Sequence, residues 1–219
     1  MKLAIVQKSI SKTDLRPYLD LARDMKAELV CFGELATTGC LYEPREVPPP
    51  ETVLDLLAPY DFRAMVGLPY ATENGLYNTY LYYHRGWSRM YHKINLFPPF
   101  NEPEIFTAGP VPGVWETDFG RLGVAICYDI RFPQVFEELR ARQVEKIFIP
   151  AAFPRERVDD YRSLLVERAR QTGAWVIGIN AVGSDERQEY GGCSSVIEPD
   201  GSVAVQADET GETILEIDI

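Results

Sequence analysis

Three stretches of this chain place reactive side chains directly after short apolar runs. Val124-Ala125-Ile126 leads into Cys127-Tyr128-Asp129-Ile130-Arg131-Phe132-Pro133, so a thiol, a phenol, a carboxylate and a guanidinium follow a strand-like segment. Leu29-Val30-Cys31-Phe32 runs through Gly33 into Glu34, and Arg89-Met90-Tyr91-His92 runs into Lys93. In open α/β sheets, ligands bind where strands end, so a cysteine there can be a nucleophile. A lone strand cysteine is more often a small buried hydrophobe. Glutamate and lysine, however, are almost never fully buried unless paired, and their company shifts the reading toward chemistry. Thiolate is the reactive form of cysteine. A nearby ammonium lowers the thiol pKa and a carboxylate can take its proton, so Cys127 as nucleophile and Glu34 as base form a workable pair.

The elements that must position these groups alternate along the chain. Leu3 to Val6 reads as a strand, and Leu15, Tyr18, Ala22 and Met25 recur at helical spacing, with Thr13 or Asp14 as cap and Pro17 in the first turn. Leu29 to Phe32 is a second strand. A proline-rich connection and a short helix at Glu51 to Leu57 separate it from a third, Ala64 to Leu68. Leu76 to Tyr83 and Trp87 to His92 form a hairpin around His84-Arg85-Gly86. The proline-rich segment from Leu96 to Gly113 reads as a structured loop anchored by Phe97, Phe100 and Phe106. Trp115 to Thr117 and Val124 to Ile126 return to strand, and Pro133 opens a helix whose apolar stripe is Val135, Leu139 and Val144. After a strand at Ile147 to Ala151, the acidic start at Asp159 and Asp160, Arg168 and Arg170 near the end, and Gly173 mark a helix over 158–172. Its core face is Tyr161, Leu164, Leu165 and Ala169. Trp175 to Ile179, Ser194 to Ile197, Val203 to Val205 and Thr213 to Ile217 close the chain as strands, with a Pro199-Asp200-Gly201 turn. Helices outside two packed sheets, an α/β layered sandwich, is the expected class.

Composition removes several kinds of function. The 219 residues suit one sizeable core, so a single domain over 1–219 is expected. Twenty-two basic against 33 acidic residues give a net charge of −11, which argues against nucleic acid or an anionic membrane as partner. The N-terminal apolar run is too short for a signal peptide, and no segment approaches a membrane span, so the expected location is cytoplasmic. Cys31, Cys40, Cys127 and Cys193 lack CxxC spacing, and the only histidines are His84 and His92. Neither a disulfide framework nor a metal centre is expected, and no cofactor is implied. No Gly-x-Gly-x-x-Gly, P-loop or Gly-x-Ser-x-Gly is present.

Phe32-Gly33-Glu34-Leu35, His92-Lys93-Ile94-Asn95-Leu96-Phe97 and Cys127-Tyr128-Asp129-Ile130-Arg131-Phe132-Pro133, in that order, resemble the nitrilase, or carbon-nitrogen hydrolase, superfamily. Ile149-Pro150-Ala151-Ala152-Phe153 and the stretch from Gly192 to Gly201 are similar to its later landmarks. The resemblance implies a four-layer αββα sandwich that forms a homodimer or higher homo-oligomer. It places the family's triad on Glu34, Lys93 and Cys127, and a second glutamate on Glu102, ahead of Phe106-Thr107-Ala108-Gly109, with Glu104 as the neighbouring alternative. Lys93 and the backbone N–H of Tyr128 would then hold an oxyanion. Departures are Gly33 in place of proline, Cys40 in place of tyrosine, Gln134 in place of glutamate, a partial match over Arg168 to Thr172 and a shortened stretch from Tyr42 to Tyr60.

The wording around Cys127 is nearest to the amidase branch acting on small dicarboxylate monoamides or related acyl amides. The implied reaction is hydrolysis of a small amide with release of ammonia through a thioester. Arg131 could hold a substrate carboxylate or form a salt bridge with Asp129. Tyr42 and Phe153 are candidate pocket walls. An N-carbamoyl amine or amino-acid hydrolase would use the same residues. A non-catalytic binding module would be marked by a Cys127 that resists iodoacetamide at neutral pH.

Overall fold

Side-chain alternation in the central strands explains the layers. In β1 (Lys2–Gln7), Leu3 and Ile5 enter one apolar cluster while Ala4 and Val6 enter another. The same division holds in β2 (Leu29–Cys31), where Leu29 and Cys31 face one way and Val30 the other. A strand buried on both faces reads as a continuous apolar run, and its two faces must be covered by different layers. On one side lie α1 (Arg16–Asp24) and α2 (Pro50–Leu57), whose Leu19, Ala22, Val53 and Leu57 share a cluster with the even-numbered strand residues. On the other lies a second sheet. The computed structural model, which describes residues 1–219, is thus a four-layer αββα sandwich.

The first sheet adds β3 (Arg63–Thr72), β4 (Gly75–His84), β5 (Trp87–His92) and the last strand of the chain, Thr213–Asp218. Strands β1, β2 and β3 run parallel; the others join antiparallel. Between β5 and the second sheet, the segment read as a loop contains a tight turn at Pro98–Phe100 and a short helix, α3 (Glu102–Ile105). The second sheet is built from β6 (Gly113–Thr117), β7 (Gly120–Val124), β8 (Lys146–Pro150) and β9 (Trp175–Ile179), with β7, β8 and β9 parallel, and two later strands, Ser195–Ile197 and Val203–Gln206, extend it antiparallel beyond β9. Its helices are α4 (Pro133–Ala141) and α5 (Val158–Thr172). A ribbon of β10 (Val182–Ser184) and β11 (Glu189–Gly191), absent from the sequence reading, precedes β12 (Ser195–Ile197), β13 (Val203–Gln206) and β14, the Thr213–Asp218 strand. No helix is long and apolar enough to cross a membrane.

Helix α5 keeps its expected bounds, with Gly173 at φ 69 ending it. Three local expectations are corrected. Strand β7 stops at Val124, before the expected Val124 to Ile126, although Ala125 N–H still donates to Phe148 O at 3.1 Å. Neither Thr13 nor Asp14 is the cap of α1: Leu15 occupies that position, and Asp14 Oδ1 accepts the Arg16 N–H at 3.1 Å. Of the two basic residues expected near the end of α5, only Arg170 lies in the last turn; Arg168 is buried, its Nε donating to Ile130 O at 2.8 Å.

Candidate active site

Parallel strands bring their carboxyl ends to one edge of each sheet, and both edges meet over one cavity. Glu34 follows β2, Lys93 follows β5, Cys127 follows β7, and Phe153 follows β8. Two glycines allow the close approaches this needs. A Cβ on Gly67 of β3 would sit 2.3 Å from Gly33 O and 2.8 Å from Glu34 Cα, so only glycine lets the Glu34 turn cross the sheet there. A Cβ on Gly109 would sit 2.1 Å from His92 O, and Gly109 N–H donates to Lys93 O at 2.8 Å. That contact explains the Phe-x-x-Gly at Phe106 to Gly109. Tyr80 OH donates to Phe32 O at 2.9 Å and fixes the approach to Glu34 from below.

All seven candidate residues, Glu34, Lys93, Glu102, Cys127, Tyr128, Arg131 and Phe153, line a cavity of about 430 Å³. That volume suits a small molecule. Lys93 is 1% exposed, and its Nζ donates to Glu34 Oε1 and Glu102 Oε1, each at 2.8 Å. Of the two alternatives for the second glutamate, Glu102 is buried in the site and Glu104 is exposed. Glu102 Oε2 accepts the Phe97 N–H at 2.6 Å, so both of its oxygens are occupied.

Charge sets the protonation states. Burial pulls the Lys93 ammonium down, but Glu34, Glu102 and Cys127 more than offset it, and the group is held well above its ordinary value. Glu102 is raised, by burial first and by Glu34, with Lys93 pulling it back. Burial and Glu34 push the Cys127 thiol well up, against Lys93 and the Ala152 backbone amide. At neutral pH the site therefore holds a neutral thiol beside a buried ammonium. A thiol in this setting reacts once a base takes its proton.

Cys127 has φ 45, a left-handed conformation that costs a non-glycine residue of order 1–3 kcal/mol. The turn Cys127–Arg131 that it opens is held by Asp129, which sequence proximity offers only as a salt-bridge partner for Arg131. Asp129 is fully buried; Oδ2 accepts Ile126 N–H at 2.9 Å and Tyr91 OH at 2.8 Å, and Oδ1 accepts both the N–H and the Nδ2 of Asn95 at 2.8 Å. One carboxylate thus ties the segment after Lys93 to the turn of Cys127. Asp129→Ala leaves four donors without their acceptor, two of them buried and two partly buried, and is expected to cost at least about 3 kcal/mol in urea unfolding. If Cys127 acts in turnover, the displaced turn should also lower kcat by about 10²-fold. Wild-type stability in that variant would contradict this assignment.

Two pocket expectations change. Arg131 does not pair with Asp129; its Nη2 lies 3.3 Å from Asp160 Oδ2 and its guanidinium sits over the Phe153 ring, so it is free of the buried network. Tyr42 is not a wall of the cavity. Its hydroxyl pairs with Asp185 and Tyr190 behind Cys40. Asn180, another residue the sequence did not single out, clamps the β8 end: its Oδ1 accepts the Phe153 N–H at 2.8 Å.

Comparison with known proteins gives one grouping. The sequence model described as carbon-nitrogen hydrolase matches residues 2–219. The chain is 35% identical over 130 residues to the 2-oxoglutaramate amidase of Bacillus subtilis, an alignment covering 59% of this chain and 50% of that protein. It is 27% identical over 230 residues to a Schizosaccharomyces pombe protein named "Probable nitrilase C965.09", covering 98% of this chain and 83% of the other. Among solved structures, a mutant of the amidase from Nesterenkonia sp. AN1, with the acetamide moiety of fluoroacetamide added covalently at its active site cysteine, has a TM-score of 0.89. That match covers 100% of this chain and 90% of the other at 21% identity, and the likeness is one of fold. The chain spans about half the length of the Bacillus amidase and of several other curated relatives it matches.

Proposed function

The chain belongs to the carbon-nitrogen hydrolase family, and from that premise we propose that it is an amidase, releasing ammonia from a small amide through a thioester on Cys127. The observation that carries this reading is the buried Glu34–Lys93–Glu102 cluster opening on the cavity that Cys127 also lines. The amidase names among its relatives support the amide as the bond attacked.

The two glutamates divide the work by their free valences. Glu102 has a donor on each oxygen and serves to anchor Lys93. Glu34 accepts on Oε1 alone, so Oε2 is available as the base. Glu34 takes the thiol proton, and Sγ bonds to the amide carbon, leaving charge on the carbonyl oxygen. An ammonium has three donors, two of which Lys93 spends on glutamates; the third, with the Tyr128 N–H, which has no backbone partner, stabilises the oxyanion. Protonated Glu34 then gives its proton to nitrogen, the C–N bond breaks, and ammonia departs. Water deprotonated by Glu34 attacks the thioester carbon; the acid leaves and the proton returns to Cys127.

Arg131 supports a carboxylate on the acyl group, since its one anionic partner, Asp160, is half exposed at 3.3 Å and easily exchanged. Arg131→Gln is expected to raise KM for an acidic amide about tenfold relative to a neutral one, with kcat little changed, the worth of one charge-assisted hydrogen bond. An unchanged preference for acidic amides would dismiss this role. The whole chain is proposed to act as one hydrolase domain in a homodimer or higher homo-oligomer, which light scattering reads directly.

The reading is tested by ammonia release over a panel of ω-amides of dicarboxylates, aliphatic amides, N-carbamoyl compounds and nitriles. The ω-amides should be turned over fastest. Faster release from carbamoyl compounds would move the assignment to a ureido hydrolase, and release from none would overturn it.

A further inference from the structure

Asn78, on β4, is 1% exposed and touches two members of the cluster at once. Its Nδ2 donates to Glu34 Oε1 at 2.8 Å, and its backbone carbonyl accepts the Lys93 N–H at 2.9 Å. Lys93 Nζ donates to the same Oε1 at 2.8 Å, so both hydrogen bonds reaching this carboxylate fall on one oxygen and Oε2 receives none. Asn78 Oδ1 is itself buried without a partner. An unsatisfied buried acceptor carries a cost that an apolar side chain of the same size would avoid, so packing alone does not explain an amide here. Turning the amide over would not relieve it either, because Oδ1 would then face the Glu34 carboxylate. The side chain is held in one orientation by the anion it serves.

We propose that Asn78 is a positioning residue for proton transfer: with Lys93 it occupies Oε1 of Glu34, so the Cys127 proton is taken up at Oε2 and later delivered from Oε2 to the departing nitrogen. The proposal rests on the reading of Glu34 as base. The S–H bond breaks as the Oε2–H bond forms, and the Oε2–H bond breaks as the N–H bond of the leaving ammonia forms. A second consequence is electrostatic. A donor on Oε1 favours the ionised carboxylate, which is the form that can act as base.

The test compares Asn78→Leu, Asn78→Asp and Glu34→Gln, each assayed by ammonia release from whichever amide of the panel the wild type hydrolyses fastest, with thermal melting followed in parallel. Asn78→Leu is expected to lower kcat about 10²-fold with KM within about threefold, and to move the acid limb of the pH–rate profile to higher pH. Asn78→Asp, able to donate only when protonated, should move the optimum to lower pH. Opposite displacements in the two variants are a signature that a packing role does not produce. Wild-type kcat in Asn78→Leu, or a loss with an unmoved pH profile, overturns the proposal, and an inactive Glu34→Gln beside it leaves the base in place. Turnover by Glu34→Gln overturns the base assignment itself, and this inference with it. A wild type that releases ammonia from none of the panel overturns both.

Discussion

Cys127→Ala is expected to lose amide turnover by about 10⁴-fold or more while melting within a few degrees of the wild type. The two halves of this expectation have separate causes. On the proposed mechanism chemistry stops, because no other group in the cavity takes the place of the sulfur. Cys40 lines the same cavity, but its sulfur is engaged by Tyr190 OH, and unlike Cys127 it is not set beside the Lys93 ammonium by the turn that Asp129 holds. The fold survives because Cys127 sits at a cavity wall rather than in a filled core, and the turn is held by Asp129, not by the thiol. Alanine also meets the same backbone cost at φ 45, so the substitution neither relieves nor adds strain. Steady-state ammonia release beside a thermal melt checks both. Retained turnover would remove the nucleophile assignment, and an unfolded variant would show that the thiol is structural.

Lys93→Met should have the largest effect on stability. The ammonium is 1% exposed between two carboxylates of 4% and 6% side-chain exposure, and methionine leaves both anions buried without their common partner. Removing one partner of a buried ion pair costs about 3–5 kcal/mol, and here one lysine serves two glutamates. The pH dependence has a definite sign. In the wild type the lysine pKa is raised by folding, so its contribution is present throughout the neutral range and is lost only above the ordinary lysine value. In the variant the unpaired glutamates must take up protons to remain buried, so stability should recover as pH falls through the carboxylate range and decline as it rises. Urea unfolding at a series of pH values reads this directly. A variant equally stable from acid to neutral pH would mean that the pair is not the strut it is taken to be. Turnover should vanish as well, since the cation proposed to hold the oxyanion is gone.

What could be read in the sequence was what leaves a local signature. Apolar runs with a charge at the end placed Glu34, Lys93 and Cys127 at strand ends, and all three line one cavity. Acidic start, basic end and Gly173 gave the bounds of α5, because capping is decided within a turn of the terminus. The supporting groups were not legible, since their partners lie far along the chain. Asn78 reaches Glu34 across 44 residues, and Asp129 reaches Asn95 across 34. Neither contact imposes a period or a spacing. Arg131 was offered Asp129 as partner on proximity in sequence, yet the turn points Asp129 inward to backbone amides and Arg131 outward to Asp160. The short helix Glu102–Ile105 escaped notice because four residues around a proline are too few to show a helical period.

The measurement closest to the central claim is peptide mass mapping of enzyme quenched in acid while it hydrolyses its best amide. The account predicts the acyl mass of that amide on the peptide containing Cys127, removable by hydroxylamine as a thioester should be. An acyl group on Cys31, Cys40 or Cys193, or an enzyme in full turnover with every cysteine unmodified, would contradict it.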